Sequence, residues 1–324
     1  MKICTGISSL DNLRLIIDSE AEEFYCGVYN ENWVKRFGSF SAINRRPWKN
    51  SNLSSFYELE NVIKEVHLKK KKVFLTLNEH VYTNQQKPLL TEYIKKATDL
   101  SVDAIIVSDI SIMQLIRNIS KDIEIHVSTG GAAFNTESIS FYVNNFGVTR
   151  IILPRSIKLS EIALFKKKFP NIELEIFILN EGCTYIDGFC NQLHGIRYVN
   201  ENGDNLYGYS PTCQIRFDTI KAQMNEFNLD EKQLLHLINK NLHKNINCGI
   251  CSLYKINKIG VDSLKLVSRS TNIVNTMSDI KRLSKAINLS KSSINEKEFL
   301  LDVKENKLVC SNFPNSKECL YSDN

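Results

Sequence analysis

Short apolar runs rich in β-branched residues recur along the chain, and they alternate with segments whose apolar positions follow a helical period. Eight runs read as strands buried on both faces: Lys2–Thr5 (KICT), Glu23–Val28 (EFYCGV), Val73–Asn78, Ala104–Asp109, Glu124–Thr129, Arg150–Arg155, Glu173–Leu179 and Ser263–Arg269. Most lead into an amphipathic segment. Ser8 or Ser9 can cap a helix with Leu10, Leu13, Ile16 and Ile17 on one stripe, and the pattern returns at Thr91–Leu100, Ile110–Ile119, Thr136–Asn145 and Leu159–Phe169. Eight strand-and-helix units with right-handed crossovers predict a closed parallel (β/α)8 barrel of the TIM type, an α/β fold. A doubly wound open sheet is the alternative.

Two long interruptions break the series. Residues 29–55 follow the second strand, and residues 180–247 follow the seventh. In a parallel barrel the segment after a strand lies at the C-terminal rim, where sites are built, so both interruptions are expected to carry function. The expected organisation is a barrel over 1–289 with a cysteine-rich rim insertion at 180–251. A polar tail, 290–324, packs against it as an appendage.

Composition narrows the class. With 324 residues and 43% hydrophobic content the chain can bury a large core, and 41 Lys plus Arg against 36 Asp plus Glu leave only +5. Overall charge therefore does not announce a nucleic-acid partner, though it leaves one open. No apolar run approaches the ~18 residues of a membrane span, and MKICTGISSLDNL lacks the basic-then-apolar order of a signal peptide. The expectation is a cytoplasmic protein, where nine cysteines are read first as metal ligands.

The cysteines divide into two kinds. Cys4 and Cys26 sit inside strands among apolar neighbours and behave as small hydrophobes. Cys183, Cys190, Cys213, Cys248 and Cys251 fall within 69 residues, all expected at one rim. Thiolates gathered there call for a soft metal, tetrahedral zinc or an iron–sulfur cluster. Spacers of six, 22 and 34 residues between Cys183, Cys190, Cys213 and Cys248 depart from paired zinc knuckles and suit a cluster seated in a preformed mouth. Cys248 and Cys251 form CGIC at the start of a helix over Ser252–Ile259, where the backbone favours thiolate. Cys310 and Cys319 complete this site, build another, or stand idle.

The stretch NEGCTYIDGFCNQLH after a barrel strand, followed by CGICSLYKINKIGVDSLKLVSRS, resembles the signature regions of the collagenase-like peptidase family, and the likeness extends over essentially the whole chain. Within that family the chain is similar to the iron–sulfur members related to anaerobic ubiquinone hydroxylation and RNA-base hydroxylation. The resemblance implies a [4Fe–4S] cluster and oxygen-independent hydroxylation with prephenate as oxygen donor. It carries over Cys183, Cys190 and Cys213 as ligands, with one thiol of CGIC as the fourth. Peptidase-type members have His-Gly-Ala where this chain has Leu179, Asn180 and Glu181, and their final Gly-Arg is here Ser268 and Arg269. No recognisable hydrolytic motif is present.

Strand ends supply the remaining candidates. Arg155 and Arg269 can fork onto a dicarboxylate, or pair with Asp109 or Glu181. Arg45, Arg46 and Trp48 in the first interruption offer charge beside a stacking face, and Asn78 ends the third strand at the same rim. Glu181, His194 and the two strand-end arginines form the expected catalytic set. The Lys69–Lys72 run precedes the third strand and is expected as a solvated face at the opposite end. The expected function is a hydroxylating iron–sulfur barrel acting on an unidentified acceptor. A peptidase and a non-catalytic cluster-binding subunit paired with a homologue are the alternatives.

Overall fold

A computed structural model describes residues 1–38, 41–46, 49–180, 186–190, 198–199, 205–206, 248–269, 271–310, 313 and 319–321. Trp48, Glu181, Cys183, His194 and Cys213 lie outside the described residues. Eight parallel strands close into a barrel: β1 (Lys2–Gly6), β2 (Glu23–Cys26), β3 (Lys72–Leu77), β4 (Ala104–Val107), β5 (Glu124–Val127), β6 (Arg150–Ile152), β7 (Glu173–Leu179) and β8 (Ser263–Leu266). They follow one another around the ring. β1 closes it by pairing with β2 in the register Cys4↔Glu23 and with β8 in the register Ile3↔Leu264, which excludes the open sheet. A short antiparallel pair, Tyr198–Val199 with Asn205–Leu206, stands apart from the barrel.

Helices α1 (Leu13–Ile17), α2 (Glu31–Phe37), α3 (Phe56–Leu68), α4 (Lys87–Asp99), α5 (Ile110–Ile119), α6 (Thr136–Phe146), α7 (Leu159–Lys168) and α8 (Leu253–Ile259) intervene between strands. They are followed by α9 (Ile273–Ser292) and α10 (Glu296–Glu305). Their apolar stripes explain their placement: α3 buries Leu59, Val62, Ile63 and Val66, and α5 buries Ile112, Met113 and Ile116. Ends are set by local chemistry. Asn135 and Ser138 form a reciprocal capping box at α6, and Gly147 ends that helix at φ 55°. At α1 the expectation fails, since the cap position is Asn12 and no side chain caps the helix. Helix α4 starts at Lys87, ahead of Thr91, because Pro88 suits a first helical turn. No helix among the described residues is long and apolar enough to cross a membrane.

The lower barrel interior is charged. Arg150, fully buried, donates from Nη2 and Nη1 to Glu23 at 2.6 and 2.7 Å, from Nη1 to Glu175 at 2.8 Å, and from Nε to Glu173 at 2.9 Å. Lys265 Nζ donates to Glu175 at 2.6 Å, and Lys2 Nζ reaches Glu173 at 2.6 Å and Glu23 at 3.1 Å. Three carboxylates thus meet three cations. Among the described residues Cys4, Glu23 and Glu175 also bring three ligand atoms within 4.8 Å of one another, but with every carboxylate matched by a cation the cluster is an ion-pair plug and not a metal site.

Cys4 and Cys26 are buried as expected, and burial pushes the Cys26 thiol up to about 12. Cys26→Ala is expected to cost on the order of 1 kcal/mol in denaturant unfolding and to leave any bound iron unchanged. Loss of iron in that variant would contradict its purely packing role.

Candidate functional site

At the C-terminal mouth, β8 leads directly into Ser268 and Arg269. Ser268 fixes this exit, its hydroxyl accepting from the Gly6 N–H at 2.7 Å and sharing a 2.8 Å bond with Thr5. Arg269 is then held across the opening at 7% exposure, and Nη1 donates to Thr76 Oγ1 at 3.2 Å and Asn44 Oδ1 at 3.3 Å. Its guanidinium lies 5.6 Å from the Tyr25 ring centre. No carboxylate pairs with it among the described residues: the ion pair to Asp109 weighed from the sequence is not formed, and Glu181 lies outside the described residues. Burial, aided by nearby Arg46, pulls this guanidinium down to about 10. Space for it depends on Gly27, where a Cβ would sit 2.2 Å from Asn52 Oδ1 and 3.0 Å from Arg269 Nη1.

The segment after β2 returns to the barrel through a bridge between Val28 and Leu53 and is clasped by asparagines. Asn44 Nδ2 donates to Asn52 Oδ1 at 2.9 Å, while Asn44 Oδ1 accepts from the Arg46 N–H at 2.9 Å. This clasp presents Arg45 to the mouth. Its N–H donates to Asn78 Oδ1 at 3.4 Å and its Nη1 to Glu79 at 3.4 Å. Asn78 in turn donates to Ser128 Oγ at 3.1 Å, tying β3 to β5. Across the opening, Arg155 donates to Asp187 at 2.5 Å and stacks 3.8 Å from the Phe177 ring centre.

His80 follows β3 at the same level and was not singled out as a catalytic candidate from the sequence. Burial lowers its imidazole pKa, and Arg45 acts in the same direction against Glu79. Among the described residues, five buried side-chain nitrogens have no hydrogen-bond partner: Arg45 Nη2, His80 Nδ1 and Nε2, Arg155 Nε and His126 Nδ1. Four of them border the mouth. Each such group costs about 1–3 kcal/mol and is rare in native interiors, so their concentration here marks a place for a ligand. A carboxylate or phosphate supplies the acceptors these groups and Arg269 lack.

The described rim thiols are all buried and free of disulfides: Cys190 follows the turn Asp187–Phe189, Cys248 bridges to Leu179 at the end of β7, and Cys251 lies in the turn leading to α8. Buried unbridged thiols beside a polar mouth fit ligation of a soft metal. The CGIC pair departs from expectation in one respect. Cys248 precedes the helix, and burial pushes its thiol up to about 11. It faces the tail: Arg282 Nη2 lies 3.7 Å from its sulfur, Leu320 N–H donates to its carbonyl at 3.2 Å, and the Cys310 and Cys319 thiols both act on it electrostatically. Among the described residues no histidine is hydrogen-bonded to a serine, threonine or cysteine side chain; His67 pairs with Asp103 and His126 with Glu124.

Comparisons agree with the motifs. A protein from Helicobacter pylori named tRNA hydroxylation protein P is 30% identical over 191 residues, covering 59% of this chain and 42% of its own length. The Escherichia coli protein of that name is 28% identical over 217 residues, covering 67% and 44%. An uncharacterized protease of Methanocaldococcus jannaschii is 30% identical over 194 residues, covering 59% and 43%. The chain spans about half the length of these relatives. A solved U32 peptidase structure superimposes over 55% of this chain and 69% of that one, at 14% identity and a TM-score of 0.42. The model of peptidase family U32 matches residues 8–316, and the chain belongs to that family.

Proposed function

We propose that this barrel serves in oxygen-independent hydroxylation of RNA. The rim cysteines hold an iron–sulfur cluster, [4Fe–4S] in form, and the mouth binds a small carboxylate oxygen donor of the prephenate kind. The observation that carries the reading is the buried Arg269 guanidinium, which among the described residues has no carboxylate partner, at a rim that also holds the unmet nitrogens of Arg45, His80 and Arg155. The relatives named for tRNA hydroxylation supply the acceptor class. When bound, the cluster supplies one-electron chemistry beside the mouth.

The chain's own groups do the rest. Arg269 and Arg155 grip carboxylate oxygens, Arg45 adds a donor from Nη2, and Asn78 holds Arg45 in place. His80, kept neutral by burial, has a ring nitrogen free to accept a proton. Glu181 and His194 belong to the cysteine-bearing insertion and stay in the catalytic set. An RNA acceptor places the protein in the cytoplasm.

The test has two arms. Anaerobically purified protein should be brown and contain iron with sulfide; a colourless zinc protein overturns the cluster. RNA from a deletion strain, digested and analysed by mass spectrometry, should lack a hydroxylated nucleoside, and an unchanged nucleoside profile overturns the RNA reading. Single variants refine the ligand set. Because Cys248 faces Arg282 and the tail thiols, Cys190→Ala and Cys251→Ser are expected to lose most of the iron while Cys248→Ser keeps most of it. Equal losses in the two CGIC variants would exclude this assignment.

A further inference from the structure

The barrel's own ladder runs out at the end of β7. On the β6 side the last bond is the Leu153 N–H on the Glu175 carbonyl at 2.9 Å, and Pro154, which has no N–H, turns the chain away before a donor reaches the next carbonyl in line, that of Phe177. On the β8 side the register slips between Lys265 and Leu266, from Phe177 to Leu179, so Ile178 is the extra residue of a bulge. Buried carbonyls left open in this way need donors from elsewhere.

Two distant stretches of chain supply them. The Gly249 N–H donates to the Ile178 carbonyl at 2.8 Å, Cys248 bridges to Leu179, and the Tyr321 phenol donates to the Phe177 carbonyl at 2.8 Å. The tail also grips the CGIC turn at both ends: the Leu320 N–H donates to the Cys248 carbonyl at 3.2 Å, and Ser252 Oγ donates to the Tyr321 carbonyl at 3.2 Å. Cys251 lies between these two bonds. Gly249 permits the contact, since a Cβ there would stand 2.7 Å from Ile178 Cδ1 and 3.3 Å from Tyr321 Cδ2. Tyr321 itself is 8% exposed and has φ 62°, a left-handed conformation that is costly for a bulky residue. Such strain persists only where the surroundings over-determine it, and it gathers at functional sites. Burial raises the phenol pKa, so the hydroxyl keeps the proton it donates. Phe177, whose carbonyl the phenol holds, is also the residue on whose ring Arg155 stacks.

We propose that Tyr321 is a positioning residue of the metal centre: its phenol and the flanking backbone lock the CGIC turn onto the end of β7 and so fix the Cys251 thiol in place. The inference rests on the cluster reading above, and it adds the element that holds one of the ligands. Tyr321 touches no reacting atom. It acts through Gly249, Ser252 and Phe177.

Anaerobically purified holoprotein tests this through the rate at which a chelator removes iron, read beside iron content, the EPR spectrum of the reduced cluster and thermal melting. Tyr321→Phe removes the phenol bond but keeps the ring against Gly249. It should retain the parent's iron content, release that iron about threefold to tenfold faster, the factor that one net hydrogen bond represents, and change the EPR line shape. Tyr321→Ala, which also removes the ring, should release iron faster still. Tyr254→Phe is the control. Its phenol donates to the Ile294 carbonyl at 3.0 Å, a bond of the same kind that ties α8 to the chain just before α10, and its loss should leave release and spectrum unchanged even where melting falls. A Tyr321→Phe protein with the parent's release rate and spectrum overturns the proposal. Equal acceleration in Tyr254→Phe also overturns it, because the effect would then be one of stability alone. Parent protein without iron and sulfide overturns the cluster reading itself, and the proposal with it.

Discussion

Arg150→Met is expected to lower stability by about 3–5 kcal/mol, on the order of 10 °C in melting temperature, because it leaves Glu23, Glu173 and Glu175 with only Lys2 and Lys265 as counter-charges. Burial opposes ionisation of Glu23 and Glu175, yet the cations outweigh it: Arg150 for Glu23, Lys265 and Arg150 for Glu175, and both carboxyls stay below the usual range. The sign of the pH dependence follows. Depressed carboxylate pKa values contribute stability above the ordinary carboxylate range, and that contribution fades as pH falls through the folded values. With Arg150 gone, the carboxyls take up protons more readily. The gap between the two proteins should therefore be widest near neutral pH and narrow on acidification toward pH ~4. Arg150→Lys should recover only part of the loss, since a point charge cannot fork onto Glu23 while also reaching Glu173 and Glu175. A loss below about 1 kcal/mol, or a gap unchanged with pH, would show that the plug adds nothing to the fold.

This plug was hidden in the sequence for a physical reason. ELEIFIL reads as a buried strand, and in a parallel barrel even the alternate positions face inward, so Glu173 and Glu175 look like solvent-side residues while lying in the interior. Only the conjunction of Glu23, Arg150 and Lys265 on three other strands reveals their partners, and that conjunction is tertiary. The strands themselves were legible because β-branched runs have no other stable use between amphipathic helices. Their C-terminal ends were drawn too long: Asn78, Asp109, Thr129, Arg155 and Arg269 continue the pattern past the last ladder bond, since a rim residue keeps the side-chain alternation after the backbone has left the sheet. Those overshoots mark the site. Arg155, Arg269 and Asn78 were readable there as strand-end polar groups, whereas the Asn44–Asn52 clasp depends on how one loop folds back on itself and leaves no periodic trace. Asp109 caps α5 instead of joining the mouth chemistry.

Arg269→Met separates the cost of the site from its use. A guanidinium at 7% exposure, with no carboxylate partner among the described residues and held by two bonds of 3.2 and 3.3 Å, is a net burden on the ligand-free fold. Replacing it with an apolar side chain of similar length should leave the melting temperature unchanged or raise it by a few degrees, where loss of an ordinary buried ion-pair partner would lower it. Under the proposed function, hydroxylated product should fall by about 10- to 10²-fold at sub-saturating donor, the loss expected when a charged bidentate contact worth ~1.5–3 kcal/mol is removed from ligand binding. Arg269→Lys provides the control for charge alone. It keeps a cation in the mouth but loses the fork, so donor binding should remain weak even though the electrostatic field is nearly restored. The measurement is product formation against donor concentration, read beside iron content and thermal melting for each variant. A stable Arg269→Met protein with full iron and undiminished product would remove this guanidinium from the binding site, and a destabilised one would make it a structural residue whose partner lies in the cysteine-bearing insertion.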